Sequence, residues 1–133
     1  MHNLLLIDDH AVLRTVIKMI IENFLPDCNI HEAEDGSAAF EKIKENEYDL
    51  LILDVNMPNT DSIELIAKIL ALKTHSKILM LSLNSEEIYA NRYLKAGAMG
   101  YVRKDAPADE IKKAITTVLN NKRYMSAELS EKY

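Results

Sequence analysis

Short apolar runs that each end in a polar residue constrain the fold of this chain more than any other feature. Continuous apolar runs of this length are typical of strands buried on both faces, as in parallel sheets. Two further segments have a weaker strand pattern. The predicted strands are Leu4–Asp8, Cys28–Glu34, Asp49–Asp54, Lys77–Leu83 and Ala98–Lys104.

Amphipathic helices are predicted after each of these strands. The first covers Ala11–Phe24, where apolar residues recur at helical spacing, and the last begins at Pro107, a favoured first helical position. The apolar residues that carry the helical spacing are Val12, Val16, Met19, Ile20, Phe24, Ala39, Phe40, Ile43, Ile63, Ile66, Ala67, Leu70, Ile111, Ala114, Ile115, Val118 and Leu119, with a weaker pattern over Glu86–Ala96. Five strand–helix alternations predict an open, doubly wound α/β domain with a five-stranded parallel sheet.

Composition narrows the class of protein. The chain has 133 residues, which suits one domain, and its net charge of −5 argues against direct nucleic-acid binding, which needs an excess of Lys and Arg. The single cysteine, Cys28, excludes an internal disulfide and favours a packing role. No basic flank precedes the first apolar run, and no run approaches the roughly 18 residues that a membrane span needs. We therefore expect a cytoplasmic protein without membrane contact.

Polar side chains stand at the carboxyl ends of four predicted strands. Asp8 and Asp9 follow the first, Asp54 ends the third, Ser82 ends the fourth and Lys104 ends the fifth. Ligands of open parallel sheets bind outside the carboxyl ends of the strands. The sequence therefore predicts one site that contains all five residues.

The residue types at this edge indicate phosphoryl chemistry. Crowded carboxylates repel one another unless a cation is present, and Mg²⁺ prefers oxygen ligands from one or two carboxylates. Asp8 and Asp9 are the predicted metal ligands, and Asp54, on the central strand, is the predicted nucleophile. Lys104 would neutralise charge on the phosphoryl oxygens.

Each residue also has a structural interpretation. Asp8 and Asp9 could cap the first helix, Asp54 could be a turn residue, Ser82 could be a structural residue at a strand end, and Lys104 could be a solvated surface lysine. Their joint placement at one edge favours the functional interpretation.

The chain resembles the receiver domains of two-component response regulators over about residues 3–123. The resemblance rests on four segments at their mutual spacing: LLLIDDH, DLLILDVNMPNTD, ILMLS and KAGAMGYVRKDAP. The segments DDHAVLR and KAGAMGYVRKDAP, with the later RYMS, are most similar to the NarL/FixJ/LuxR subfamily, whose receivers precede a helix-turn-helix DNA-binding domain. The implied fold is (βα)5 and flavodoxin-like, with strand order 2-1-3-4-5.

The resemblance implies a role for each site residue. Asp54 would accept a phosphoryl group from a histidine kinase. Asp9, Asp54 and the backbone carbonyl of Asn56 would hold Mg²⁺ directly, with Asp8 acting through water. The roles implied for the remaining residues are phosphoryl contact by Lys104, a hydroxyl movement by Ser82, inward rotation of Tyr101, loop shaping by Pro58 and a cis peptide near Lys104–Asp105.

The resemblance also implies an organisation for the protein. Residues 1–123 would form the receiver, and residues 124–133 a tail or the start of a linker to a C-terminal effector domain. The receiver would catalyse its own phosphorylation and dephosphorylation without being an enzyme that turns over substrate. Phosphorylation would promote a homodimer through the first and last helices or the fourth and last helices, and DNA would be bound only by the effector domain.

Three positions depart from the family pattern. Thr60 and Ser62 replace a larger apolar residue and a glycine in the loop after Asp54, and Leu83 replaces an alanine after Ser82. A stiffer loop and narrower access to the phosphoryl group are the expected consequences.

Two alternative functions remain. A phosphatase of the haloacid dehalogenase type would need D-x-D after the first strand, whereas the acids here are adjacent. A receiver-like interaction module without phosphorylation would normally lack an acid or the lysine. A patch of Tyr89, Arg92 and Tyr93 in the fourth helix is either a partner surface or internal packing.

Overall fold

The computed structural model describes residues 2–57, 60–83 and 86–125, and all their side chains except those of residues 86–89. Strands and helices alternate along these ranges: β1 (Asn3–Ile7), α1 (Ala11–Phe24), β2 (Asn29–Ala33), α2 (Gly36–Glu45), β3 (Leu50–Asp54), α3 (Ser62–Leu72), β4 (Ile78–Ser82), α4 (Glu86–Ala96), β5 (Gly100–Arg103) and α5 (Ala108–Leu119). All strand pairs are parallel, and the strand order is β2-β1-β3-β4-β5. The predicted doubly wound α/β fold and its order are confirmed.

The central strands are apolar up to their last residues, Asp54 and Ser82, because both faces of the sheet are covered. Every residue of β3 and β4 is buried. Alternate side chains point to opposite faces of a strand. Leu5 and Ile7 pack in a core with residues of α2, α3 and α4, whereas Leu4 and Leu6 pack in a second core with residues of α1 and α5.

None of the apolar residues whose spacing predicts α1 is among the buried residues of that helix. Ile17 and Ile21 are buried against the sheet, while Val12 and Met19 are 77% and 63% exposed. Both sets recur at helical spacing, so periodicity predicts the helix correctly without identifying the face that meets the sheet.

Polar caps begin α2 and α3, and a glycine follows the end of α4, on the sheet face opposite α1. The Asp35 carboxylate accepts a hydrogen bond from the Ala38 backbone N–H at the start of α2, and Asp61 caps α3 in the same way through Glu64. Gly97 follows α4 with a φ of +118°, a left-handed conformation that favours glycine.

Tyr124 packs with the domain although it lies beyond α5. Its backbone N–H donates to the Met99 carbonyl, its carbonyl accepts from the Tyr101 N–H, and its hydroxyl donates to Glu110. This single residue thereby pairs with the outer edge of β5. Residues 126–133 of the predicted tail lie outside the described residues.

Two expectations from composition are tested by the fold. Cys28 is partly buried and packs against the core next to α1 and α5, as predicted, and burial raises the pKa of its thiol. Within the described ranges, the helices are too short or too polar to span a bilayer.

Candidate functional site

Asp54 occupies the end of the central strand, and its side chain has two unlike oxygens. The residue is completely buried. Oδ1 accepts hydrogen bonds from the Lys104 ammonium, 2.8 Å away, and from the Asn56 backbone N–H, 3.0 Å away. Oδ2 has no hydrogen-bond partner among the described residues. One side of the carboxylate is therefore held by the protein, and the other is available to a ligand.

The two acids after β1 lie beside Asp54. Asp8 is buried, and its Oδ2 lies 3.3 Å from the Lys104 Nζ. Asp9 is partly exposed at the mouth of the site. Lys104 thus contacts two carboxylates, and the site holds more negative than positive charge.

The buried position of Asp54 shifts the pKa of its carboxyl. Burial raises the pKa of the Asp54 carboxyl above its ordinary value, because the charged form loses its hydration. Hydrogen bonds from Lys104 and the Asn56 N–H lower this pKa in part, and the negative charge of Asp8 raises it further. A cation bound beside Asp54 would stabilise the charged carboxylate and so oppose the effect of burial on its pKa.

The ligand atoms fit a divalent cation. One side-chain atom from each of Asp8, Asp9, His10 and Asp54 lies within 4.8 Å of the other three. The carboxylate oxygens are the kind of ligand that Mg²⁺ prefers. Asn56, the other predicted contributor, follows Asp54 closely and donates its backbone N–H to that carboxylate.

Ser82 and Lys104 are positioned by the neighbouring strands. Ser82 ends β4 and is buried, and its hydroxyl donates to the Asn56 side-chain oxygen at 3.4 Å. The Lys104 backbone N–H donates to the Ser82 carbonyl, which ties the end of β5 to β4. All five residues predicted to share the edge, Asp8, Asp9, Asp54, Ser82 and Lys104, are found there.

Tyr101 lies below this edge, inside the core. It is completely buried in β5 and stacks on Tyr93 of α4 with ring centroids 6.2 Å apart. Tyr93 is also buried, so it packs internally, while Arg92 is exposed. The Tyr89 side chain lies outside the described residues, and the partner patch therefore has one described exposed member.

The loop after Asp54 is attached to α3 by the unusual serine. Ser62 is buried, and its hydroxyl donates to the Val55 carbonyl at 3.3 Å and lies 3.5 Å from the Asp54 carbonyl. A glycine could not make these contacts, which supports the predicted stiffening of the loop. Pro58, predicted to shape it, lies outside the described residues.

One predicted backbone feature is wrong. The Lys104–Asp105 peptide is trans, and no cis peptide occurs in the described part of the chain. Asp105 instead pairs with the Arg103 guanidinium through two hydrogen bonds of 2.9 and 3.0 Å, and this pairing lowers the pKa of the Asp105 carboxyl.

Two site neighbours were not assigned roles from the sequence. His10 directs its ring nitrogen at the acids, and Arg14 donates to both the Asp8 carbonyl and the Glu32 carboxylate, which braces the turn after β1 against β2. A basic residue one turn into the helix after an acidic pair was the available signal for Arg14.

Comparisons with known proteins agree with this geometry. The family model of the response regulator receiver domain matches residues 4–116 of this chain. The oxygen regulatory protein NreC of Staphylococcus haemolyticus is 39% identical over 126 residues, covering 92% of this chain and 57% of NreC. The response regulator UvrY of Escherichia coli K12 is 31% identical over 131 residues, covering 98% of this chain and 60% of UvrY. The chain thus spans less than two thirds of these relatives.

Solved structures give the same result. A LuxR-family two-component response regulator from Aurantimonas superposes with a TM-score of 0.90 at 27% identity, covering 98% of this chain and 93% of that one. The receiver domain of a NarL regulator from Mycobacterium tuberculosis superposes with a TM-score of 0.81 at 28% identity, with coverages of 91% and 98%.

Proposed function

Since the chain belongs to the response regulator receiver domain family, we propose that it accepts a phosphoryl group on Asp54 from a phosphohistidine of a histidine kinase. The observation that carries this proposal is the asymmetric Asp54 carboxylate. Lys104 and the Asn56 N–H bind one oxygen, while the other has no hydrogen bond from the part of the chain that the structure describes and lies on the side of the acids and His10.

The transfer forms an acyl phosphate. An Asp54 oxygen attacks phosphorus, the bond between phosphorus and the imidazole nitrogen breaks, and the imidazole leaves with the electron pair. Lys104 already lies against Asp54 and contacts the incoming phosphoryl oxygens, where its charge counts most because the site is buried. The receiver's own residues thus promote the transfer. Attack by water on the phosphorus later breaks its bond to the Asp54 oxygen, which releases inorganic phosphate and returns the free carboxylate.

Mg²⁺ is the proposed cofactor. Asp9, Asp54 and the backbone carbonyl of Asn56 would hold it, with Asp8 acting through water. The ion supplies positive charge to the phosphoryl oxygens. The buried Oδ2 of Asp54, which has no hydrogen bond within the described ranges, supports this assignment, because such an oxygen is costly without a cation.

The switch follows from the charge that the phosphoryl group adds. About two negative charges and three acceptor oxygens arrive beside Ser82 and Lys104. Ser82 exchanges its contact with Asn56 for the phosphoryl group, and β5 adjusts with Lys104. Tyr101 and Tyr93 connect β5 to α4, so the surface of α4 and β5 carries the output.

We propose that the receiver controls an effector domain within a longer cytoplasmic protein. NreC and UvrY, which are relatives of this chain, are longer than it is. The proposed effector is a C-terminal helix-turn-helix domain that binds DNA when the phosphorylated receiver dimerises. The acidic receiver does not contact DNA itself.

Intact mass spectrometry tests the proposal. Incubation with Mg²⁺ and acetyl phosphate should add one phosphoryl group, labile to alkali, with release of acetate. Asp54→Asn should abolish the adduct, and Asp49→Asn, at the other end of β3, should retain it. Absence of an adduct in the wild type would favour an interaction module, and release of many phosphates per protein would favour a phosphatase.

A further inference from the structure

The geometry points to His10 as a cation ligand that gives this acidic site a preference for nitrogen-binding divalent ions. Co²⁺, Ni²⁺ and Zn²⁺ are the class meant, in contrast to Mg²⁺. The inference rests on the cation role proposed above for the acids, but it requires no phosphoryl transfer.

The His10 ring is held over the acids by its own backbone. The His10 N–H donates to Asp8 Oδ1 at 2.8 Å, which fixes the residue in the turn between β1 and α1. From there the ring Nδ1 lies 3.0 Å from Asp9 Oδ1, 3.3 Å from Asp8 Oδ1 and 3.9 Å from Asp54 Oδ2. One nitrogen thus faces an oxygen from each of three carboxylates.

The buried Asp54 carboxylate points to a ligand on the same side. Its Oδ1 is bound by Lys104 and the Asn56 N–H. Its Oδ2 lies 3.9 Å from the His10 Nδ1 and has no hydrogen bond among the described residues. A completely buried carboxylate oxygen without a partner is costly. An ion between Oδ2 and Nδ1 would satisfy both atoms.

The ligand chemistry sets the preference. Imidazole suits Zn²⁺, Ni²⁺ and related ions, whose affinities for mixed nitrogen and oxygen sites follow the Irving–Williams order. Mg²⁺ prefers oxygen and dehydrates reluctantly, so it would use the carboxylates and leave the ring aside. Loss of the imidazole should therefore weaken the first class of ion selectively.

Calorimetric titration with Co²⁺ and, separately, Mg²⁺ tests this preference. His10→Ala should raise the Kd for Co²⁺ at least about tenfold and change the Kd for Mg²⁺ less than about twofold. His10→Asn, which keeps a polar side chain before α1 without the imidazole, should reproduce the loss. His2→Ala and His75→Ala, which remove exposed histidines elsewhere, should leave both constants unchanged.

A second measurement identifies the ligand directly. The imidazole NMR signals of His10 can be assigned because they are absent from the spectrum of His10→Ala. Zn²⁺ should shift these signals in the wild type. An equal change in the Kd values of Co²⁺ and Mg²⁺, or no change in either, would overturn the inference and leave an adventitious ion only. The result is separable from phosphoryl transfer, because selective loss of Co²⁺ binding would stand even if acetyl phosphate gave no Asp54 adduct.

Discussion

Two aspartates mark the two ends of β3 and have opposite environments. Asp49 precedes the strand, is exposed, and accepts a hydrogen bond of 2.7 Å from the Asn3 backbone N–H. Asp54 ends the strand, is completely buried, and has one oxygen without a hydrogen bond from residues 2–57, 60–83 or 86–125. The Asp49 carboxylate therefore forms a structural hydrogen bond, whereas the Asp54 carboxylate has an oxygen that a ligand could bind.

The difference extends to the neighbouring strands. At the amino end, the Asn29 amide donates to the Asn3 side-chain oxygen, and the Asn29 backbone N–H donates to the His2 carbonyl. At the carboxyl end, Asp8 and Asp54 share one lysine. The amino end therefore satisfies its polar groups within the sheet, while the crowded acids at the carboxyl end should lower the free energy of unfolding.

Removal of the shared lysine should have the largest effect. Lys104→Met keeps the side-chain length but leaves Asp8 and Asp54 buried without their cation, so the free energy of unfolding should fall by about 3 kcal/mol in the absence of divalent ions. Urea denaturation at pH 7 measures it. Lys68→Met, which removes an exposed ion pair with Glu64, should cost less than about 0.5 kcal/mol.

Magnesium should recover more stability in Lys104→Met than in the wild type, because the ion replaces the missing positive charge. A loss below about 1 kcal/mol, or no differential recovery, would show that Lys104 does not carry the charge balance of this edge.

Neutralisation of the central acid should have the opposite sign. In Asp54→Asn the side-chain oxygen can still accept from Lys104 and the Asn56 N–H, and the new amide N–H can face the acids. The free energy of unfolding should rise by about 1–2 kcal/mol at pH 7 without divalent ions.

The gain should depend on pH. The folded protein raises the pKa of Asp54 above its ordinary 3.8, so between the two values the folded state holds a proton that the unfolded state has lost. Wild-type stability from this group therefore falls as pH rises through that window, and the advantage of Asp54→Asn should grow. Denaturation midpoints from pH 4 to 8 measure it; a gain independent of pH would contradict the assignment to Asp54.

At the other end of the strand, the expected effect is a modest loss. Asp49→Ala removes the acceptor for the Asn3 N–H and should lower the free energy of unfolding by about 1 kcal/mol. Asp49→Asn keeps an acceptor and should lose less. Mg²⁺ affinity, measured by calorimetry, should be unchanged in both, and a weakened affinity would mean that the two ends of β3 are coupled.

Much of the site could be predicted because the strand topology brings its residues together. Asp8, Asp54 and Lys104 are distant in sequence, but each ends a parallel strand, and such ends share one edge of the sheet. The continuous apolar runs identified those strands directly. Local sequence order and a general rule of sheet geometry were therefore sufficient for these residues.

Features set by packing could not be predicted in the same way. Val12 and Ile17 both lie on apolar stripes of α1, and only contact with the sheet selects Ile17 as the buried one. Tyr124 follows the last helix without any strand pattern, yet it fills the open edge of β5. The direction of the His10 ring likewise depends on the turn around Asp8.

The smallest effect is expected just beyond the end of β4. Leu83 is 54% exposed and directly follows the buried Ser82, at the edge that a phosphodonor must approach. Leu83→Ala should open this approach and speed labelling of Asp54 by acetyl phosphate a few-fold, measured as the initial rate by intact mass. Leu72→Ala, which shortens a similarly exposed leucine in α3, should leave the rate unchanged. An unchanged or slower rate in Leu83→Ala would place the barrier in the chemistry of Asp54 and Lys104, since access at the carboxyl edge would then not limit the reaction.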